Sequence, residues 1–182
     1  MTDAAGGDLT FTTAADANGS ATVTVSLSDD GGTTNGGDSV SAEETFTITI
    51  NAVNDAPSFT KGGDETVPED TGAITVSSWA TAISKGPSDE DGQALTFHVS
   101  NDNNTLFDVQ PDVDEASGDL TYNTASDENG TANVTVTLTD DGGTANGGDD
   151  TSPNQTFTIT VNAQPDAPTD LSLSSSSVDE NQ

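Results

Sequence analysis

The chain repeats itself. Residues 7–57 align with residues 118–168 at a constant offset of 111 without a gap, and 34 of these 51 positions are identical. Gly7-Asp8-Leu9-Thr10 returns as Gly118-Asp119-Leu120-Thr121, and Asp29-Asp30-Gly31-Gly32 as Asp140-Asp141-Gly142-Gly143. Asp55-Ala56-Pro57 returns as Asp166-Ala167-Pro168, and Val67 and Glu69 match Val178 and Glu180. A fixed internal period marks an array of structurally equivalent units, and this period is the size of one β-sandwich domain. The 182 residues accordingly divide into three parts. Residues 1–57 are the C-terminal part of a preceding unit, 58–168 a complete unit, and 169–182 the first strand of a following one. The expectation is a segment of a longer tandem array. Met1 then reads as an arbitrary starting point of that segment, and no charged and apolar leader is visible after it.

Within each unit the apolar residues alternate. Leu95, Phe97 and Val99, then Val134, Val136 and Leu138, then Phe157, Ile159 and Val161 recur at every second position. Period two gives a strand with one buried and one wet face, and the intervening Thr and Ser suit strands. This patterning outweighs a composition of 30% hydrophobic and 4% aromatic residues, which scattered along a chain would indicate disorder. Strands are expected near 65–69, 73–78, 94–100, 105–110, 118–124, 132–139 and 155–163, and in the leading part near 8–13, 21–28 and 45–52. Seven short strands separated by Gly, Asn and Asp turns predict an all-β, Greek-key sandwich of the immunoglobulin or cadherin type. The leading part carries only three of the seven, so its core is expected to be open and less stable.

Charge excludes several functions. Thirty-two acidic residues stand against two basic ones, Lys61 and Lys85, for a net charge of −30. No basic patch can serve nucleic acid, and an anionic membrane surface repels such a chain. No apolar run approaches the ~20 residues that cross a bilayer, so no membrane insertion is expected. Cysteine is absent, which removes disulfides, thiolate metal sites and cysteine nucleophiles. His98 is the lone histidine, and alternation turns it outward from Phe97 and Val99. Aromatic residues are too few for a sugar platform and mostly sit at core positions; Trp79, in an irregular run, reads as core or as a bulge. Acid pairs abound without a pocket-forming insertion, so the chain is read as non-catalytic.

The carboxylates gather at strand ends and turns: Glu69-Asp70, Asp89-Glu90-Asp91, Asp127-Glu128 and Asp140-Asp141. The linkers add Asn51, Asn54 and Asp55, and later Asp166. Calcium takes six to eight oxygen ligands of these types. Clustered carboxylates repel one another, and a bound divalent ion converts the repulsion into a cross-link. The alternative is a solvating acidic surface with no specific ion.

The order of these motifs resembles the cadherin-like and bacterial immunoglobulin-like tandem repeats of large calcium-dependent surface adhesins, including RTX-adhesin-type extender repeats. Val67-Pro68-Glu69-Asp70 is similar to that family's early glutamate motif, and Asp89-Glu90-Asp91-Gly92 to its Asp-x-Asp motif. Asp127-Glu128-Asn129 stands where its Asp-x-Glu stands, with Asp140 as the later Asp, and Asn51–Pro57 is similar to its linker. The resemblance implies Ca2+ between successive units. The junction near 57 would use Asp16, Asn51, Asn54 and Asp55 from above and Asp89, Asp91 and Asp140 from below. The junction near 168 would use Glu69, Asp127, Glu128 and Asp166. Asn129 and Asn18 replace the expected glutamate and Asn51 the expected Asp, which lowers the ligand charge. The implied role is an extracellular stalk on a bacterial surface, monomeric as a fragment and partnered by neighbouring units of its own parent chain. Direct binding of polysaccharide, homophilic cell–cell adhesion, or a fibre formed by strand exchange are the alternatives.

Overall fold

The computed structural model describes residues 7–166; the expected opening strand in 169–182 lies outside them. Eleven strands follow in order: β1 (Gly19–Val25), β2 (Glu44–Ile50), β3 (Ser58–Thr60), β4 (Glu65–Pro68), β5 (Ala73–Val76), β6 (Thr81–Ser84), β7 (Leu95–Asn101), β8 (Phe107–Val113), β9 (Leu120–Thr124), β10 (Gly130–Asp140) and β11 (Gln155–Asn162).

Residues 58–162 form a sandwich. One sheet has the order β4-β11-β10-β7, the other β5-β9-β8, and β3 pairs with β6 at the side. β4 runs parallel to β11, with Ile159 opposite Glu65 and Asn162 opposite Pro68; the pairs of β10 with its two neighbours are antiparallel. Alternation fixes which face is inside. Ala132, Val134, Val136 and Leu138 of β10 are buried, as are Phe157, Ile159 and Val161 of β11 and Leu120 and Tyr122 of β9. Each large aliphatic or aromatic side chain removed from water contributes about 1.5–3 kcal/mol, which offsets the weak composition. His98 is exposed, with Nε2 3.0 Å from Thr139 Oγ1.

Two short strands, β3 and β6, lie beyond the sequence expectation. They exist because the run after β5 breaks at Ser78, whose φ is +52°, and turns Trp79 inward. The indole packs on Phe157 at 4.4 Å and donates its N–H to the Gly63 carbonyl at 3.1 Å. Trp79 is therefore core. Gly62 lies so close that a Cβ there would fall 2.4 Å from the indole Cδ1.

The leading part corrects one expectation. β1 and β2 pair antiparallel from Gly19–Ile50 to Val25–Glu44, but residues 8–13 form no strand. Their equivalent, β9, is held between β5 and β8; the described residues of the leading part include no counterpart of either. Its inner-face residues are consequently exposed: Leu9 58%, Phe11 60% and Leu27 72%.

Candidate functional site

Asn54 is the hub of the junction between the two units. Its Nδ2 donates to Asp140 Oδ1 at 2.9 Å and to the Asp149 carbonyl at 2.7 Å. Its Oδ1 accepts from Gln93 Nε2 at 2.5 Å, and its carbonyl accepts the Asp149 N–H at 3.0 Å. The next residue, Asp55, donates its N–H to Glu90 Oε1 at 2.7 Å. The linker is thus bonded into the complete unit through Glu90 and Gln93 side chains of the β6–β7 connection, the Asp140 side chain at the end of β10 and the Asp149 backbone of the β10–β11 connection. Gly142 makes this possible, because a Cβ there would lie 1.8 Å from Asn54 Oδ1.

On the leading side lies an open cleft of about 280 Å³. Asp16, Asn18, Asn51 and Asp55 line it from the leading unit and Asp89 from the complete unit. Asn18 donates its amide to the Asp89 carboxylate across the junction. Asp16 holds a left-handed backbone, φ +57°, and its repeat equivalent Asp127 repeats it at φ +58°, a conformation that Asp tolerates better than most residues.

Beneath the cleft three buried oxygens lack a hydrogen-bond donor: Glu90 Oε2, Gln93 Oε1 and Asp140 Oδ2. Glu90 is only 5% exposed. Buried polar atoms are almost always partnered, and all three of these are acceptors.

At the opposite end the carboxylates of Asp70, Asp127 and Asp166 come within 4.8 Å of one another. Asp127 donates its N–H to Asp70 Oδ1 at 3.3 Å. Partial desolvation, then the negative charges of Asp127, Asp70 and Glu69, push the Asp166 carboxyl above its ordinary range. Glu69, 4% exposed, accepts the Gln164 N–H at 2.6 Å and the Asn129 amide at 3.3 Å, and donates its own N–H to the Asn162 carbonyl at 2.9 Å.

Four of the residues singled out for the first junction, Asp16, Asn51, Asp55 and Asp89, meet at one cleft, with Asn54 and Asp140 bonded to each other just below it. Asp91 engages Lys85 Nζ through its carbonyl at 2.8 Å and does not line the cleft. At the second end Asp127 and Asp166 come together beside Glu69, whereas Glu128 is exposed and outside the trio. The carboxylate clusters of the sequence include Asp70 and Glu90, but the implied ligand sets left both out: Asp70, which adjoins Glu69, and Glu90, which lies between two exposed acids. The donor set is hard oxygen throughout; the crowded trio is relieved by positive charge, and the orphaned oxygens are satisfied by a hydrogen-bond donor or a cation. Such a set fits a calcium-sized hard cation and does not suit a soft metal. Among the described residues no helix is long and apolar enough to cross a membrane.

Comparison with known proteins gives similarities of structure and of sequence family. The structure of human protocadherin-24 EC1-2 is similar over 80% of this chain and 67% of that one, at 18% identity and a TM-score of 0.46. No curated protein matches. The model of the lipoprotein associated domain matches residues 6–54 and 81–163, most of the chain and most of both units. On that match the chain belongs to the lipoprotein associated domain family.

Proposed function

We propose that the chain is a piece of a non-catalytic extracellular stalk, a tandem array of β-sandwich units in which Ca2+ bound at each junction stiffens the linker. The observation that carries this reading is the cleft between the units. Asp16, Asn51 and Asp55 from one unit and Asp89 from the next face a shared space, and the equivalents of two of them, Asp127 and Asp166, crowd against Asp70 at the other end. Asp16, Asn51, Asp55 and Asp89 would hold the ion at the first junction, with Asn54 and Asp140 bracing the linker beneath. Asp70, Asp127, Asp166 and Glu69 would supply the second. Bound there, the ion would supply positive charge that offsets the carboxylate repulsion and ties the linker to both units. Neighbouring units of the parent chain are the partners in this reading, and a bacterial cell surface is its setting; membership of a lipoprotein associated family supports an envelope location.

Thermal unfolding of the chain in calcium, in magnesium at equal ionic strength and in chelator tests the reading. A folded-state site stabilises by about 2.7 kcal/mol at a hundredfold excess over Kd. A calcium-specific rise in melting temperature, lost in Asp89→Asn, is expected; equal responses to the two cations would mean that the acids act as a solvating surface.

A further inference from the structure

The chain has four Asn-Gly steps, at 18–19, 35–36, 129–130 and 146–147, and the fold holds them in different ways. Asn146 is exposed in the connection between β10 and β11. Its φ is +58° and its ψ +19°, and Gly147 has φ +89°. The Gly148 N–H closes on the Ala145 carbonyl at 3.1 Å. This is a type I′ turn with Asn and Gly at its two central positions. The repeat equivalents Asn35 and Gly36 take the same turn, with φ +61° and +80°.

A type II′ turn keeps the same φ at its first central residue and the same closing hydrogen bond. It differs by a flip of the central peptide, which brings ψ of that residue to about −120°. Gly147, with no Cβ, accepts the opposite φ that the flip demands. At that ψ the Cβ of an L residue eclipses the next backbone nitrogen, the arrangement from which a five-membered ring closes. We propose that Asn146-Gly147 is a site of spontaneous modification, where the flipped turn converts Asn146 to aspartate or isoaspartate and loosens the hydrogen bonds that anchor the linker. The Gly147 nitrogen attacks Asn146 Cγ. The N–Cγ bond forms, the Cγ–Nδ2 bond breaks, and Nδ2 leaves as ammonia with the Gly147 amide proton. Water then opens the ring. Cleavage at Cγ gives aspartate; cleavage at the backbone carbonyl gives isoaspartate, whose main chain is one carbon longer.

Asn129-Gly130 is the contrast within the same unit. Glu69 Oε2 holds the Asn129 amide at 3.3 Å, and Gly130 opens β10 opposite Val161. Ring closure there must first break side-chain and sheet hydrogen bonds.

Asn146 stands just upstream of the linker's anchor. A Cβ on Gly148 would fall 2.9 Å from the Asn54 nitrogen. Asp149 donates its N–H to the Asn54 carbonyl at 3.0 Å and accepts Asn54 Nδ2 on its own carbonyl at 2.7 Å. A carbon added to the chain here displaces Asp149, and a new carboxylate is repelled by Asp149 and Asp150. The conversion needs water and no cation, so it does not rest on the calcium reading.

The test is incubation of the full chain in chelator at mildly alkaline pH, with both sites followed in one peptide map by mass spectrometry. Asn146 should convert about tenfold or more faster than Asn129, because only the second must break hydrogen bonds before its ring closes. In urea the two rates should converge. Equal rates in the folded chain, or a ratio that unfolding leaves unchanged, overturn the assignment, since the turn would then contribute nothing. Protein converted at Asn146, separated on an anion exchanger by its extra negative charge, should exchange the Asp149 amide hydrogen faster than the unconverted protein. Unchanged exchange overturns the link to the junction. Because no cation is present in this experiment, its failure is distinct from a failed melting response to calcium.

Discussion

Leu27 and Leu138 are the same residue of the repeat in two environments, and truncating each to Ala separates packing from sequence. Leu138 is 0% exposed on β10, opposite Phe97 of β7. Leu→Ala at a closed site costs about 2–5 kcal/mol through lost transfer energy and the remaining cavity. Leu27 is 72% exposed. Complete burial of a leucine is worth about 1.5–3 kcal/mol, and little more than a quarter of Leu27 is covered, so its truncation costs about 0.4–0.8 kcal/mol at most. In a unit of this size 1 kcal/mol shifts the melting temperature by about 4–8 °C. Leu138→Ala should therefore lower the melting temperature by ten degrees or more, on the order of 3 kcal/mol. The assay is thermal or urea unfolding followed by fluorescence of Trp79, the only tryptophan, whose ring sits on Phe157 in the complete unit. Leu27→Ala should leave this transition in place. Equal losses would refute the reasoning, because they would require Leu27 to be packed as firmly as its equivalent.

The remaining predictions concern polar groups. The Tyr122 hydroxyl is buried without a partner, and the first unit carries Phe11 at the same position; Tyr122→Phe should be neutral or stabilising by up to about 1 kcal/mol in urea titration. Burial, with a smaller contribution from the Glu65 charge, pushes the phenol up to about 12, so tyrosinate absorbance of the intact fold should develop near that pH and not near 10. Gly142→Ala would drive a methyl into Asn54 Oδ1 and Gln93 Nε2; loss of roughly 1–3 kcal/mol and faster exchange of the Asp149 amide, which Asn54 holds, are expected by hydrogen exchange. The Asp166 carboxyl has its pKa raised in the folded chain, so the fold binds its proton more tightly than the unfolded chain does. Its contribution in chelator is therefore greatest at acid pH and falls as pH rises from the ordinary value of 3.8 through the raised one; unfolding of Asp166→Asn should lack that component.

Repetition and alternation made the sandwich legible, because both are local properties of the chain. The failures are tertiary. Leu9–Thr13 has nearly the pattern of β9 yet forms no strand, since a strand needs neighbours as well as a pattern, and among the described residues β5 and β8 have no counterparts beside it. β3 and β6 went unseen because the turn of Trp79 into the core is decided by Gly62 and Phe157, distant in sequence from β6. Glu90 carries the same charge as Asp89 and Asp91 but points inward. Its Oε2 lies over Gly86, where φ is +127° and a Cβ would fall 1.8 Å from that oxygen. The resemblance placed Asp16, Asn51, Asp55 and Asp89 at one junction, but only the folded linker shows which of the neighbouring acids line the cleft.

The parallel pairing of β4 with β11 has a mechanical consequence. β4 lies near the N-terminal linker of the complete unit, and β11 leads directly into the C-terminal one. Tension applied through the two linkers draws these strands past each other along their length. The four register pairs from Ile159–Glu65 to Asn162–Pro68 are then loaded together in shear, not opened one at a time as in a peeled hairpin. β1 and β2 run antiparallel, and the connection from Val25 to Glu44 joins them at one end. Force drawn through Gly19 and Ile50, which pair at the open end, parts the strands rung by rung, so a hairpin and a parallel pair yield to tension in different ways.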